Sequence, residues 1–255
     1  MWLSPGWLKF KLMEPFSLKN KTILITGASS GIGAQSAIAC SQMGAKVIIT
    51  GRSKERLQES YEKLYGKEHR QIPADLTSEE AINSLVDELP SLDGVVHSAG
   101  LTTHMPAKFL RKKNLDQLFS INYEAPVLLT ARLLKKKKVN NGGSLIFMSS
   151  IATKYPYFGG AVYSSTKAGI EAYSKTLALE LAPKKIRSNC LMPSFVKGPM
   201  VEEAGKTISQ EVLDKFEKMM PLGFGEPEDV ANTVVFFLSD ASKWITGAQL
   251  TLGGG

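Results

Sequence analysis

Cysteine is scarce in this chain: Cys40 and Cys190 stand far apart, each within an apolar stretch. A disulfide framework is excluded. The two read as small buried thiols of the kind a reducing cytosol keeps free, so a cytoplasmic protein is expected. Histidine is also sparse, and no His or Cys has the spacing of a metal ligand, so no metal site is expected. Long apolar runs are missing. In Met1-Trp-Leu-Ser-Pro-Gly-Trp-Leu no basic stretch precedes the apolar residues, and Pro5 and Gly6 interrupt them. That argues against a signal peptide and a membrane span. The chain has no internal repeat and no low-complexity tract. Its basic runs, Arg111–Lys113 and Lys135–Lys138, lack aromatic interleaving, so nucleic acid is not an expected partner. Both runs read as solvated helix ends, with lysines favourable at a helix C-terminus.

What is present suffices for one large core. The 255 residues are 43% apolar, and strand-like and helix-like stretches alternate with no long linker. This predicts an α/β fold with a doubly wound, mostly parallel sheet. Strands are expected at Thr22–Ile25, Lys46–Thr50, Gly94–His97, Ser144–Met148, Arg187–Met192 and Gln249–Leu252. The catalytic domain is expected over 17–255, after an extension at 1–16. Met13 offers an alternative start; the other reading of the extension is an aromatic clip on a neighbouring subunit or a membrane surface.

Tyr163 and Lys167 are four residues apart in Tyr163-Ser-Ser-Thr-Lys167, with Ser150 thirteen positions upstream. On a helix this spacing stacks phenol and ammonium on one face. A buried cation there is expected to lower the Tyr163 pKa; a shift of about three units would represent roughly 4 kcal/mol. The pair would then exchange protons near working pH.

The second group of residues handles phosphate. Thr26-Gly27-Ala28-Ser29-Ser30-Gly31-Ile32-Gly33 joins the first expected strand to a helix-compatible stretch at Gln35–Met43. Strand, glycine turn and helix form the setting of a dinucleotide site, in which backbone N–H groups meet a pyrophosphate. Gly51-Arg52-Ser53 follows the second strand, where a dinucleotide fold meets the adenosine ribose. No carboxylate stands there. Arg52 suits the extra phosphate of NADP, and Ser30 could add a hydroxyl to it. The expected cofactor is NADP(H).

With these residues in hand, the chain resembles the short-chain dehydrogenase/reductase family from about Ser17 to Gly255. Its 3-oxoacyl-carrier-protein reductase-like members are the nearest in kind. The resemblance implies a single-domain Rossmann fold with a seven-stranded sheet. It implies a catalytic tetrad of Asn122, Ser150, Tyr163 and Lys167. For the cofactor it implies Gly27, Ser29, Ser30, Gly31, Ile32 and Gly33 at the pyrophosphate and Asp75 and Leu76 at the adenine. Ser98, Ala99 and Gly100 follow the fourth strand; Pro193 and Val196 meet the nicotinamide carboxamide, and Tyr163 and Lys167 its ribose. Four departures stand out: His97-Ser98 where the family usually has Asn-Asn, Ser194 for Gly, Gly198 for Thr, and Gly253 for a frequent Asp. His97 reads as a packed structural residue.

The implied activity is NADPH-dependent reduction of a carbonyl, with a β-ketoacyl thioester, a sugar or polyol, or another ketone as substrate. A catalytically silent NADP(H)-binding sensor or scaffold is the competing class. A substrate lid is expected at about 195–224, with Val212, Phe216 and Met219 or Met220 at helical spacing. Pro126 cannot donate to the Asn122 carbonyl four residues back, so a kink is expected there. An acidic carrier protein would suit the net charge of +7. The family resemblance further implies a homo-oligomer, tetramer or dimer, formed through helices around Leu115–Lys137 and Tyr163–Leu181.

Overall fold

A computed structural model describes residues 15–201, 217, 218 and 220–253. Residues 1–14 of the extension lie outside the described residues, as do Gly205, Val212, Phe216 and Met219 of the expected lid.

Seven strands form one sheet in the order β3-β2-β1-β4-β5-β6-β7, and every neighbouring pair is parallel. The strands are β1 (Thr22–Thr26), β2 (Lys46–Thr50), β3 (Arg70–Gln71), β4 (Leu92–His97), β5 (Val139–Met148), β6 (Arg187–Pro193) and β7 (Gln249–Leu252). The helices are α1 (Gly31–Gln42), α2 (Lys54–Tyr61), α3 (Glu79–Glu88), α4 (Lys112–Phe119), α5 (Ala125–Lys135), α6 (Ala161–Glu180) and α7 (Pro227–Leu238). The expected fold class holds, and six of the strands fall where the apolar runs put them. β3 is two residues long and carries no apolar run, so it had no periodicity to announce it. β5 starts earlier than expected because its pairing with β4 shifts register between Leu92 and Gly94.

Each face of the sheet buries its own core. On one side Leu24, Val95, Leu145 and Cys190 pack with α3, α5 and α6 residues such as Leu85, Leu129 and Ile170. On the other, Ile23, Ile25, Val96 and Ile146 pack with Ala37 of α1 and Val234 of α7. Strands covered on both faces read as continuous apolar runs, which is why the sequence revealed them. Both cysteines are free and buried, and burial pushes each thiol up to about 12.

The sheet order reverses between β1 and β4, and ligands of such folds bind beyond the strand C-termini at that point. Phe16 lies against Phe236 of α7, and the Pro15 carbonyl accepts from Ala241 N–H at 3.0 Å, so the end of the extension docks at the opposite pole of α7 from its capped start. Among the described residues no helix is long and apolar enough to cross a membrane. Lys136 and Lys138 are not merely solvated: Lys136 pairs with Asp87 at 2.7 Å, and Lys138 donates to the Leu89 carbonyl, tying the end of α5 to that of α3. Arg111–Lys113 opens α4 at its N-terminus, where Lys112 is offset by Asp116 one turn on.

Candidate active site

The glycine turn is shaped by close backbone contact. Gly27 has φ +65°, and a Cβ there would lie 2.6 Å from the Ala99 Cα. A Cβ at Gly33 would lie 2.4 Å from the Gly27 carbonyl oxygen. Both positions therefore require glycine. Thr26 Oγ1 accepts the N–H groups of Ser98 (3.1 Å) and Ala99 (3.2 Å), which fixes the loop after β4 against the turn after β1. The structure thus brings Ser98 and Ala99 beside Gly27. Ser30 sits at the N-cap of α1 in extended conformation, its hydroxyl unused by the helix, and the first turn carries no acidic residue. The positive end of α1 is open to an anion. Ser29 Oγ lies against Gly51, which joins the turn to the end of β2.

Arg52 is exposed just beyond β2. Asp75 accepts from the N–H (3.0 Å) and hydroxyl (2.8 Å) of Thr77; these bonds, with a smaller contribution from the Arg52 charge, hold its carboxyl below the usual range. Leu76 beside it is buried. Ile32 and Val196 border the same apolar cluster.

On the reacting side, β5 ends in Met148-Ser149-Ser150 and α6 runs past it. Tyr163 and Lys167 are both buried on the inner face of α6. Ser150 lies close enough to the Tyr163 phenol to lower its pKa. The Lys167 ammonium lies 5.7 Å from the Tyr163 ring centroid and donates to the Met148 carbonyl at 2.8 Å. Asn122 is buried between them and the loop after β4: its Oδ1 accepts from Leu101 N–H (2.8 Å), and its Nδ2 donates to the Leu101 carbonyl (2.9 Å) and to Thr166 Oγ1 (3.2 Å). A Cβ at Gly100 would lie 3.1 Å from Asn122 Oδ1 and 3.4 Å from Lys167 Nζ. Asn122, Ser150, Tyr163, Lys167 and Gly100 thus converge on one place.

An ammonium has three N–H donors, and the Met148 carbonyl takes one. Burial with donors to spare is the arrangement that vicinal hydroxyls of a ribose would complete, so the residues fit a nicotinamide nucleotide. The kink expected at Pro126 takes the form of one π-helical turn, Ser120–Glu124, with the Ala125 N–H bonded to the Ser120 carbonyl.

One electrostatic expectation is corrected. The Tyr163 pKa does not fall; burial pushes it up to about 12, against the lowering by Ser150. The ammonium lies 5.7 Å from the ring centroid, and burial lowers Lys167 itself from 10.5 to about 8. Desolvation outweighs the attraction between the two groups.

The departures from the family pattern find partners. His97 stacks on Phe147 (4.7 Å between centroids) and bonds Thr130 Oγ1 at 3.0 Å; burial lowers its pKa to about 3, leaving a neutral structural ring. Ser194 and Gly253 touch each other. A Cβ at Gly253, where φ is +91°, would lie 2.8 Å from the Ser194 Cβ, so the serine side chain needs the glycine opposite it. Ser194 Oγ in turn donates to Met220 Sδ at 3.0 Å. The two described ends of the segment expected to be a lid are joined to each other: Phe195 stacks on Phe224, Val196 bridges Gly225, and Lys197 pairs with Glu226 at 2.6 Å.

Sequence reasoning missed three supporting residues. Thr26 and Thr166 hold loops through hydroxyls on strand and helix positions that read as apolar periodicity. Glu171, one turn beyond Lys167, accepts from Ser149 and, at 2.9 Å, from Thr153, gripping both sides of Ser150. Its i,i+4 spacing from Lys167 was the available signal.

Holding Lys167 charged in this site opposes folding. Its folded pKa is depressed, so the penalty is fully present below about pH 8 and is relieved as pH rises toward 10.5, where the unfolded chain still holds the proton. The gap corresponds to about 3 kcal/mol at most, before the bond to Met148 is counted. Lys167→Met is therefore expected to lose activity while matching or exceeding the parent in stability at pH 7, and to lose that relative advantage at pH 10. Urea denaturation at the two pH values checks this; equal destabilisation at both would contradict it.

Comparison with known proteins agrees with this geometry. Residues 27–255 match the family described as Enoyl-(Acyl carrier protein) reductase. The 3-oxoacyl-[acyl-carrier-protein] reductase FabG of Aquifex aeolicus (strain VF5) is 35% identical over 248 residues, covering 93% of this chain and 98% of that protein. The (2S)-[(R)-hydroxy(phenyl)methyl]succinyl-CoA dehydrogenase subunit BbsD of Thauera aromatica is 30% identical over 245 residues, covering 93% and 97%. A solved structure described as a short chain dehydrogenase/reductase family protein superposes with a TM-score of 0.83 at 27% identity, covering 94% of this chain and 98% of the other. With matches that run nearly end to end in sequence and in fold, the chain belongs to the short-chain dehydrogenase/reductase family.

Proposed function

We propose that this protein is an NADPH-dependent carbonyl reductase that converts a ketone to a secondary alcohol, with Tyr163 as the general acid. The observation that carries the reading is the Tyr163 phenol close to Ser150 and to the buried Lys167 ammonium, beside the glycine turn. When bound, the nicotinamide supplies a hydride to the carbonyl carbon. Ser150 and Tyr163 hold the carbonyl oxygen for that attack, and Tyr163 gives its proton to the oxygen as the C=O electron pair moves onto it. A phenol with a pKa of about 12 is protonated at neutral pH, as a donor for reduction must be. Lys167 would bind the ribose with its remaining donors, and the Asn122 carbonyl, to which Pro126 has no N–H to donate, would hold a water that passes protons from solvent toward Lys167 and on to Tyr163.

Gly27, Ser29, Ser30, Gly31, Ile32 and Gly33 take the pyrophosphate, Arg52 the 2′-phosphate, Asp75 and Leu76 the adenine, Ser98 to Gly100 the adjoining ribose, and the backbone at Pro193 and Val196 the carboxamide. The lid over 195–224 shapes the substrate site. The Aquifex relative is named for an acyl group on a carrier protein and the Thauera one for a coenzyme A derivative, which supports an acyl thioester over a sugar. A homo-oligomer, a tetramer, is part of the same reading: Leu115 on α4, Leu128 on α5 and Leu179 on α6 are exposed apolar residues. Light scattering at micromolar concentration should give a multiple of the 27.8 kDa chain, and a monomer would rule this out.

Tyr163→Phe is expected to abolish NADPH oxidation across a panel of ketones while leaving NADPH binding nearly unchanged; near-normal kcat would remove Tyr163 from its role. Silence of the parent protein across the whole panel would favour a sensor or scaffold. Arg52→Ala should weaken NADPH by about 1.5–3 kcal/mol, the value of a charged hydrogen bond, and barely affect NADH. Equal losses for both cofactors in a calorimetric titration would refute the assignment.

A further inference from the structure

A short wall stands close to Tyr163. It is made by the loop after β4 and by the turn between Ser150 and α6. Met105 N–H donates to the Gly159 carbonyl at 2.9 Å, and His104 stacks on Tyr157 with centroids 5.2 Å apart and planes 29° apart. Two glycines let these rings lie against the backbone. A Cβ at Gly160 would come within 2.6 Å of Tyr157 Cζ, and one at Gly159 within 3.0 Å of His104 Cδ2. The Tyr157 ring is therefore fixed in direction before any substrate arrives.

Its hydroxyl is poorly committed. The partner is Thr102 Oγ1 at 3.5 Å, the outer limit of a hydrogen bond, so the phenol retains a proton to offer. Burial raises the Tyr157 pKa, which keeps that proton in place at neutral pH, and the group lies near enough to Tyr163 for its charge to raise the Tyr163 pKa. Tyr157 has no task in the proton transfer described above.

We infer that Tyr157 and Thr102 form a second oxygen-binding point beside the reacting carbonyl, selecting substrates that carry another oxygen close to the ketone, as a β-keto ester or thioester does. The inference rests on the reductase reading and deepens it by naming the substrate class. The physical basis is asymmetric: a partly buried hydroxyl pair gains a partner from a β-oxygenated substrate and is left unpaired by a simple ketone. Tyrosine suits the task because its rigid ring loses little conformational freedom on binding.

The test uses ethyl acetoacetate and 2-hexanone, each followed by NADPH oxidation with the parent protein, Tyr157→Phe and Thr102→Val. The parent should prefer the keto ester in kcat/KM. Tyr157→Phe keeps the stacked ring and should lower kcat/KM for the keto ester by about 10–100-fold, while 2-hexanone changes by less than about twofold. Thr102→Val should show a smaller loss in the same direction, and NADPH affinity should be unchanged in both. Equal losses on the two substrates, or no loss on either, would overturn the proposal and leave Tyr157 as a packing residue. A parent protein inactive on both substrates would overturn the reductase reading itself, a result distinct from activity without selectivity.

Discussion

One buried positive charge organises the reacting half of this protein. Lys167 lies in a site where burial lowers its pKa to about 8, and its ammonium donates to the Met148 carbonyl. A cation out of water is tolerated only where its surroundings are fixed around it. The end of β5 supplies the carbonyl, α6 supplies the ammonium and the phenol, and Asn122 closes the space from the third side. Function here opposes stability, and the two cores on either face of the sheet offset that cost.

The scaffold around the charge is built from small hydroxyl and amide groups rather than from further charges. Thr26 holds the loop after β4, Asn122 joins that loop to α6 through Thr166, and Glu171 grips the turn that carries Ser150. These are short side chains on regular elements, so their polar atoms are positioned by backbone and lose little rotamer freedom. The chain's departures follow the same logic. His97 braces the sheet by stacking and one bond to Thr130, and Ser194 keeps its side chain because Gly253 has none.

The proposed cofactor site and the proposed substrate site differ in how they are specified. The proposed phosphate recognition would use backbone geometry that glycines permit, and a glycine pattern is legible in the sequence. The proposed substrate recognition would use a wall assembled from His104, Tyr157 and Thr102, together with the segment whose ends meet at Phe195 and Phe224. No spacing rule links these residues, because they come from segments joined only by the fold.

The sequence by itself determined the sheet, the glycine turn, and the Tyr163–Lys167 face. Strands buried on both faces must be continuous apolar runs, and an i,i+4 pair on a helix must share a side. It also marked Pro126 as a break, which became a π turn. Two-residue β3 escaped because so short a segment has no periodicity. The sign of the Tyr163 shift was decided only by tertiary structure. Spacing put a cation near a phenol, but the direction of a pKa shift depends on how much water the fold removes and where the charge sits relative to the hydroxyl. The pairing of Ser194 with Gly253 belongs to the same class: the two are 59 positions apart, and only the parallel register of β6 and β7 brings them into contact.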